Sequence, residues 1–297
     1  MKEIIECVPN ISEGRDKEKI EEIIRNLRNT GVKILDYSSD PDHNRSVITF
    51  VGDKETVKNG ALQVARDAVR LIDLRKHHGT HPRMGAVDVI PFIPVRGVKM
   101  ADCVEISKEV GKRIADELKV PVYLYAESAT TPERVKLPNI RKGEFEGFFE
   151  KIKDPEWKPD FGEPMVHPTA GVTAVGAREF LIAYNINLDT KDVKIAKKIA
   201  RSIRESSGGL RFIQAKGMEL KDKGCVQVSM NILNYKKAPL YRVFEIVKME
   251  AERYGVNVIE SELIGLMPME AALKSLAFYL RFSKLSPENI LESKIYE

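Results

Sequence analysis

Twice along this chain the apolar residues change their spacing in the same order: alternating, helical, two alternating runs, helical, alternating. In the first pass, Ile4 to Val8 has strand character. A helix from Lys17 carries Ile20, Ile23, Ile24 and Leu27 on one face and stops at Thr30-Gly31. Val32 to Tyr37 and Ser46 to Val51 are strands around a polar tip, Lys54 to Asp73 is a helix, and Val87 to Val95 is a strand. The second pass places strands at Phe180 to Leu188, Leu210 to Met218, Cys225 to Leu233 and Val258 to Leu266. Its helices are Lys191 to Glu205 and Leu240 to Tyr254, and a turn spans Lys221 to Gly224. The order β-α-β-β-α-β is the split βαβ pattern of a ferredoxin-like sandwich. An α/β (α+β) protein of two ferredoxin-like subdomains, 1–177 and 178–297, is therefore expected. Between the two passes come a helix at Met100 to Lys119, a strand at Val120 to Ala126, and a connecting region from Glu127 to about Gly176 whose periodicity fades. A closing helix runs from Pro268 to Phe282.

This topology has a geometric consequence. The turn after the first strand (Asn10 to Arg15), the hairpin tip (Ser38 to Arg45) and the turn before the fourth strand (His77 to Gly85) must meet at one end of the sheet. The last of these holds three of the chain's five histidines within five positions, next to Arg83, with Gly79, Pro82 and Gly85 preventing a helix. A histidine changes protonation near neutral pH, so one fixed on a shaped loop beside a cation can act as a general acid or base. His77, His78 and His81 could add Asp40, Asp42 or His43 to hold a metal, but no recognised ligand spacing on a regular element is present. No Ser, Cys or Lys sits in a recognisable activated setting. Arg45, Arg83, Arg96 and Arg178 are candidates for pairing with a carboxylate. Which carboxylate orients a catalytic histidine is open between Asp36, Asp40, Asp42 and Glu6.

In the second half, Asn185 and Asn187 share one face of their strand, and Gln227, Ser229 and Asn231 share one face of theirs. The topology makes these strands central neighbours, so a row of amides would line the face that helices do not cover, as if to meet a polar ligand. The glycine-rich end of the connecting region, His167 to Arg178, is a candidate ligand-covering segment. Neither the dinucleotide nor the phosphate-loop glycine motif is present. A net charge of +4 drawn from many charges of both signs suits small anions better than nucleic acid. Cys7, Cys103 and Cys225 are few and scattered, which argues against a disulfide framework. With no apolar run long enough for a signal peptide or membrane span, a cytoplasmic protein is expected.

Several segments resemble the glutamate formimidoyltransferase (formiminotransferase) family: Glu6 to Gly14, Leu71-Ile72-Asp73, Gly79 to Val89, Pro91 to Gly97, Pro121 to Tyr125 and Gly176 to Leu188. The resemblance runs in order over nearly the whole chain. It implies transfer of a formimino group from N-formimino-L-glutamate to N5 of tetrahydrofolate, the co-substrate, by a homodimer of two similar subdomains whose sheets face across a folate cleft. It places the catalytic histidine on His81. The folate-contacting loop falls on Gly162, Glu163, Pro164, Met165, Val166, His167, Pro168, Thr169, Ala170 and Gly171, to which Arg178, Asn185, Asn187 and Gln227 add polar groups. Arg45, Arg83 and Asp40 are the candidates for holding the donor, and no metal is required. His77 and His78 are then supporting or structural residues. Vertebrate members carry a fused cyclodeaminase domain that this sequence does not extend into, so a separate cyclodeaminase is expected to complete the pathway. Relatives using formiminoglycine or 5-formyltetrahydrofolate, and a folate-binding protein without turnover, are the alternatives.

Overall fold

In the computed structural model, which describes residues 3–220 and 223–295, the first strand is broken in two. β1 (Ile4–Cys7) and β2 (Asn10–Ile11) are separated at Val8-Pro9, and both lie between the same two neighbours. Helix α1 (Lys17–Arg28) follows, started by Asp16, whose carboxylate accepts from Lys19 N. β3 (Lys33–Asp40) and β4 (Arg45–Gly52) form the hairpin. Both strands run closer to the tip than expected, and Asp40 pairs with Arg45 across it. Helix α2 (Lys54–Leu71), capped by Asp53, leads to the histidine loop and β5 (Val87–Arg96). β1 is antiparallel to both β4 and β5, as the split βαβ pattern requires.

The first unit is larger than a plain sandwich. α3 (Met100–Leu118) leads to β6 (Val122–Ala126). The region expected to be a loop then supplies two short helices, α4 (Leu137–Arg141) and α5 (Glu144–Lys151), and a strand, β7 (Thr173–Ala177). β7 enters the sheet parallel to both β5 and β6 and lies between them. Its residues Thr-Ala-Val-Gly-Ala show no alternation because the strand is buried throughout. A Cβ on Gly176 would come within 2.3 Å of the Tyr125 carbonyl oxygen, so only glycine fits there. The sheet order is β3-β4-(β1, β2)-β5-β7-β6.

Ile23, Ile24 and Leu27 of α1, Val57 and Val64 of α2, and Val110 and Ile114 of α3 join Ile5, Phe50, Ile90 and Phe92 of the sheet in one buried core. Each such side chain contributes roughly 1.5–3 kcal/mol by leaving water. Phe145 and Phe148 of α5 are buried with Tyr123, which lies 5.5 Å from Phe148 between ring centroids. Trp157 and Phe161 pack partly buried against the same core, whereas Phe149 is exposed.

Contacts divide the chain into two units, Met1–Arg178 and Glu179–Glu297. The second is the plain βαββαβ form: β8 (Ile182–Leu188), α6 (Val193–Ile203), β9 (Ile213–Leu220), β10 (Cys225–Ile232), α7 (Leu240–Glu252) and β11 (Val258–Ile264). Its strand order is β11-β8-β10-β9. α8 (Met269–Leu280) and α9 (Leu291–Ile295) follow. Of the expected turn at Lys221 to Gly224, Lys221 and Asp222 lie outside the described residues. β8 and β10 are neighbours, with Asn187 opposite Gln227 and Asn185 opposite Ser229.

Candidate functional site

The three polar loops of the first unit are stitched together by hydrogen bonds. Ser12 Oγ donates to the Gly85 carbonyl at 2.7 Å, and Ser12 N to Ala86 O at 2.9 Å. Gly14 N donates to Asn44 Oδ1 at 2.9 Å, and Asn44 Nδ2 to the His78 carbonyl at 3.1 Å. Thr80 N donates to Asp42 O at 3.0 Å. Backbones approach closely enough here that glycine is required. A Cβ on Gly79 would come within 2.3 Å of His43 O, and one on Gly14 within 2.3 Å of Asp40 O.

Within this knot the three loop histidines have different tasks. His77 is buried; its Nε2 donates to Asn44 O at 2.8 Å and its Nδ1 accepts from Arg83 Nε at 3.2 Å. Burial holds its pKa below the ordinary value. His78 is exposed. His81 faces a narrow cleft lined also by Ser12, His43, Asn44, Arg45 and Asp88. Arg45 Nη1 lies against its ring, 3.2 Å from Nδ1 and in contact with Nε2. A guanidinium can only donate, so the ring nitrogen it meets carries a lone pair. Burial, then the positive charges of Arg45 and Arg141, then His43, push the His81 pKa down to about 3. His81 is a neutral imidazole.

The question of which carboxylate orients His81 has an unexpected answer: its ring is met by a guanidinium. Asp40 is engaged elsewhere, 2.8 Å from His43 Nδ1 and accepting from the backbone of Asp42 and His43. Asp36 lies back along β3, opposite Thr49. Glu6 is buried in β1 near Arg178, and burial pushes its carboxyl up to about 7 against that cation's pull. Arg178 also hydrogen-bonds the Tyr125 side chain.

Arg45 and Arg83 also differ. Arg83 is tied to Glu146 through two bonds of 2.8 and 2.6 Å and to Glu144 at 3.1 Å, anchoring the start of α5 beneath the histidine loop. Two residues that sequence reasoning missed complete the cluster. Asp88 is 2% exposed, accepts from Met84 N at 2.9 Å, and takes Arg141 Nη2 at 2.5 Å. A charged residue inside the apolar run Val87 to Val95 was the available signal for Asp88. Arg141 had none, because its short helix has no periodicity to read. Among the described residues no group of three His, Cys, Asp or Glu side chains is arranged to hold a metal ion.

The segment Gly162 to Gly171 is welded to the histidine loop. Leu74 N donates to Thr169 O, Ala86 N to Ala170 O and Val172 N to Met84 O, each at 2.9 Å. Its own turn closes on His167, whose Nδ1 accepts from Ala170 N at 3.0 Å and whose backbone pairs both ways with Gly171. His167 is therefore a turn former, its pKa lowered by burial. Gly162, Glu163, Pro164, Met165 and Pro168 are exposed, and Val166 and Ala170 are buried.

In the second unit the amides are bonded into a network that the sequence did not suggest. Gln227 Nε2 donates to Asn187 Oδ1 at 2.8 Å and to Glu262 Oε2 at 2.9 Å, and Asn187 Nδ2 donates to Glu260 Oε1 at 2.7 Å. Lys223 joins the same two glutamates. The expected open amide row is thus bridged by charged side chains from the neighbouring strand. Asn185 is buried beside it.

An α+β protein with a neutral histidine set among arginines at a sheet end has the makings of an acid–base enzyme for small anionic substrates. The chain belongs to the formiminotransferase family: residues 4–178 match the formiminotransferase domain, N-terminal subdomain, and 183–295 the formiminotransferase domain. It is 51% identical to a glutamate formimidoyltransferase of Streptococcus pyogenes, over 95% of this chain and 94% of that protein. A glutamate formimidoyltransferase of Thermoplasma acidophilum is 48% identical over 98% of this chain and 97% of its own length. Mouse formimidoyltransferase-cyclodeaminase is 48% identical over 96% of this chain, which covers 54% of that longer protein.

Proposed function

We propose that this protein transfers a formimino group from N-formimino-L-glutamate to N5 of tetrahydrofolate, releasing L-glutamate and 5-formimidoyltetrahydrofolate. The observation that carries the chemistry is the lone pair of His81, held on a loop that hydrogen bonds from the hairpin tip and the turn after the first strand fix in place.

Transfer breaks the bond between the amidine carbon and the glutamate nitrogen and forms one to N5. N5 gives up a proton, and the departing nitrogen must gain one to leave as an amine. His81 takes the proton as N5 adds to the amidine carbon, and returns it to the glutamate nitrogen as that bond breaks, so the histidine ends as it began. Two substrates held in register on such a rigid loop supply much of the remaining acceleration. Arg45 offers the positive charge that the donor's carboxylates need. The segment Gly162 to Gly171, tied to the histidine loop by backbone bonds, supports a folate-contacting role beside His81. Exposed apolar side chains on the second unit, among them Ile259, Ile264, Leu276 and Phe278, support a homodimer.

The test is a donor screen with tetrahydrofolate present, followed spectroscopically. Formiminoglutamate is expected to be used in preference to formiminoglycine and to formyl compounds. Binding of folate with no transfer from any donor would sink the enzyme assignment.

A further inference from the structure

The geometry points to a carboxylate-binding subsite made by Arg45 and Arg141, in which Arg141 reads the carboxylate that sits next to the amidine of the donor. This rests on the transfer reaction proposed above and adds to it a residue that decides which donors are accepted.

The observation is a charge and hydrogen-bond imbalance beside His81. Arg141 is held by Asp88, whose two oxygens are both engaged, one by Arg141 Nη2 at 2.5 Å and the other by Met84 N at 2.9 Å. The side chains of Arg141 and Asp88 are 12% and 3% exposed. Arg45 reaches the His81 ring through Nη1. Arg141 is close enough to depress the basicity of both Arg45 and His81 by charge repulsion, while Asp88 offsets this for Arg45. Two guanidiniums thus share one carboxylate. The Nε atoms of both Arg45 and Arg141 are shielded from water and have no hydrogen-bond partner.

A buried N–H without an acceptor is costly, and two of them on neighbouring like charges is an arrangement that folding alone does not favour. A carboxylate satisfies it, since each of its oxygens accepts from a guanidinium edge and its charge balances the pair. In formiminoglutamate the α-carboxylate is two bonds from the nitrogen that leaves, so it must lie beside the histidine that protonates that nitrogen. The γ-carboxylate is on a flexible arm and is read elsewhere. Formiminoglycine carries the same α-carboxylate, so this subsite accepts it too and does not separate the two donors. It disfavours amidines that lack the α-carboxylate.

The experiment compares formiminoglutamate with N-formiminoisoglutamine, whose α-carboxylate is an amide, in the wild type, in Arg141→Lys and in Arg45→Lys. Lysine keeps the charge opposite Asp88, and circular dichroism melts confirm folding. The wild type is expected to favour the carboxylate donor by roughly 100-fold in kcat/KM, and Arg141→Lys to compress that preference to about 10-fold or less. The KM for tetrahydrofolate should stay within about twofold in Arg141→Lys. Equal losses on both donors would show that Arg141 only positions Asp88 and His81, and would overturn the assignment. So would a wild type that does not discriminate, or a folded Arg141→Lys that keeps full discrimination. A wild type that transfers from no donor would instead refute the transferase function itself.

Discussion

His77 Nε2 donates to the Asn44 carbonyl at 2.8 Å, fixing the hairpin tip one residue before Arg45, the side chain that meets His81. The other nitrogen of the same ring accepts from Arg83. One buried imidazole therefore sets the separation between the loop that carries His81 and the strand that carries Arg45. Replacing His77 by alanine leaves Asn44 O and Arg83 Nε short of partners. The expected outcome is a loss of about 1–3 kcal/mol in urea unfolding together with a fall in turnover. Turnover unchanged in a destabilised variant would show that the loops keep their register without this ring.

The lowered pKa of His81 has a consequence for stability against pH. In the unfolded chain a histidine takes a proton below about 6.5, whereas in the native state His81 stays neutral down to about 3, first through burial and then under the charges of Arg45, Arg141 and His43. Between those values the unfolded state binds more protons, so native stability falls as the pH drops. His77 and His167 act in the same sense, and Glu6, with its raised pKa, in the opposite one between its unfolded value and about 7. The difference between wild type and His81→Asn isolates the first contribution. Urea midpoints from pH 7 to pH 5 should show the wild type losing ground to the variant. A constant difference across that range would mean that His81 titrates normally.

The amide network of the second unit gives a separate test. Gln227 is 3% exposed and donates to both Asn187 and Glu262. Gln227→Leu fills the same space but removes both bonds, leaving an amide oxygen and a carboxylate oxygen short of a donor. A destabilisation of about 1–3 kcal/mol is expected in thermal or urea melts. A neutral or stabilising result would mean that water replaces the lost bonds and that the network has no structural role.

The parts of the molecule that were legible from its residues are those where a repeating pattern had a physical cause. Helical spacing in Ile20, Ile23, Ile24 and Leu27 and alternation in the strands followed from one buried face each, and the topology then forced three distant loops to one end of the sheet. β7 was illegible because it is buried on both sides and so has no alternation, and α4 because five residues are too few to show a period. The site was legible as a place: glycine and proline marked the loop that carries His81, and the topology brought the hairpin tip at Arg45 to it. It was not legible in who meets whom. Asp40 was a natural partner for a histidine, and it has one, but that histidine is His43. The amide row of β8 and β10 was legible from alternation, but its partners Glu260 and Glu262 on β11 were not.

The proposed transfer chemistry makes His81 the base, and the most direct measurement is formation of 5-formimidoyltetrahydrofolate from formiminoglutamate and tetrahydrofolate by wild type and His81→Ala. General acid–base catalysis by one residue contributes about 10²–10⁴-fold, so a folded His81→Ala protein should bind folate with nearly unchanged affinity and lose turnover by that factor. A folded variant with near-normal turnover would contradict it.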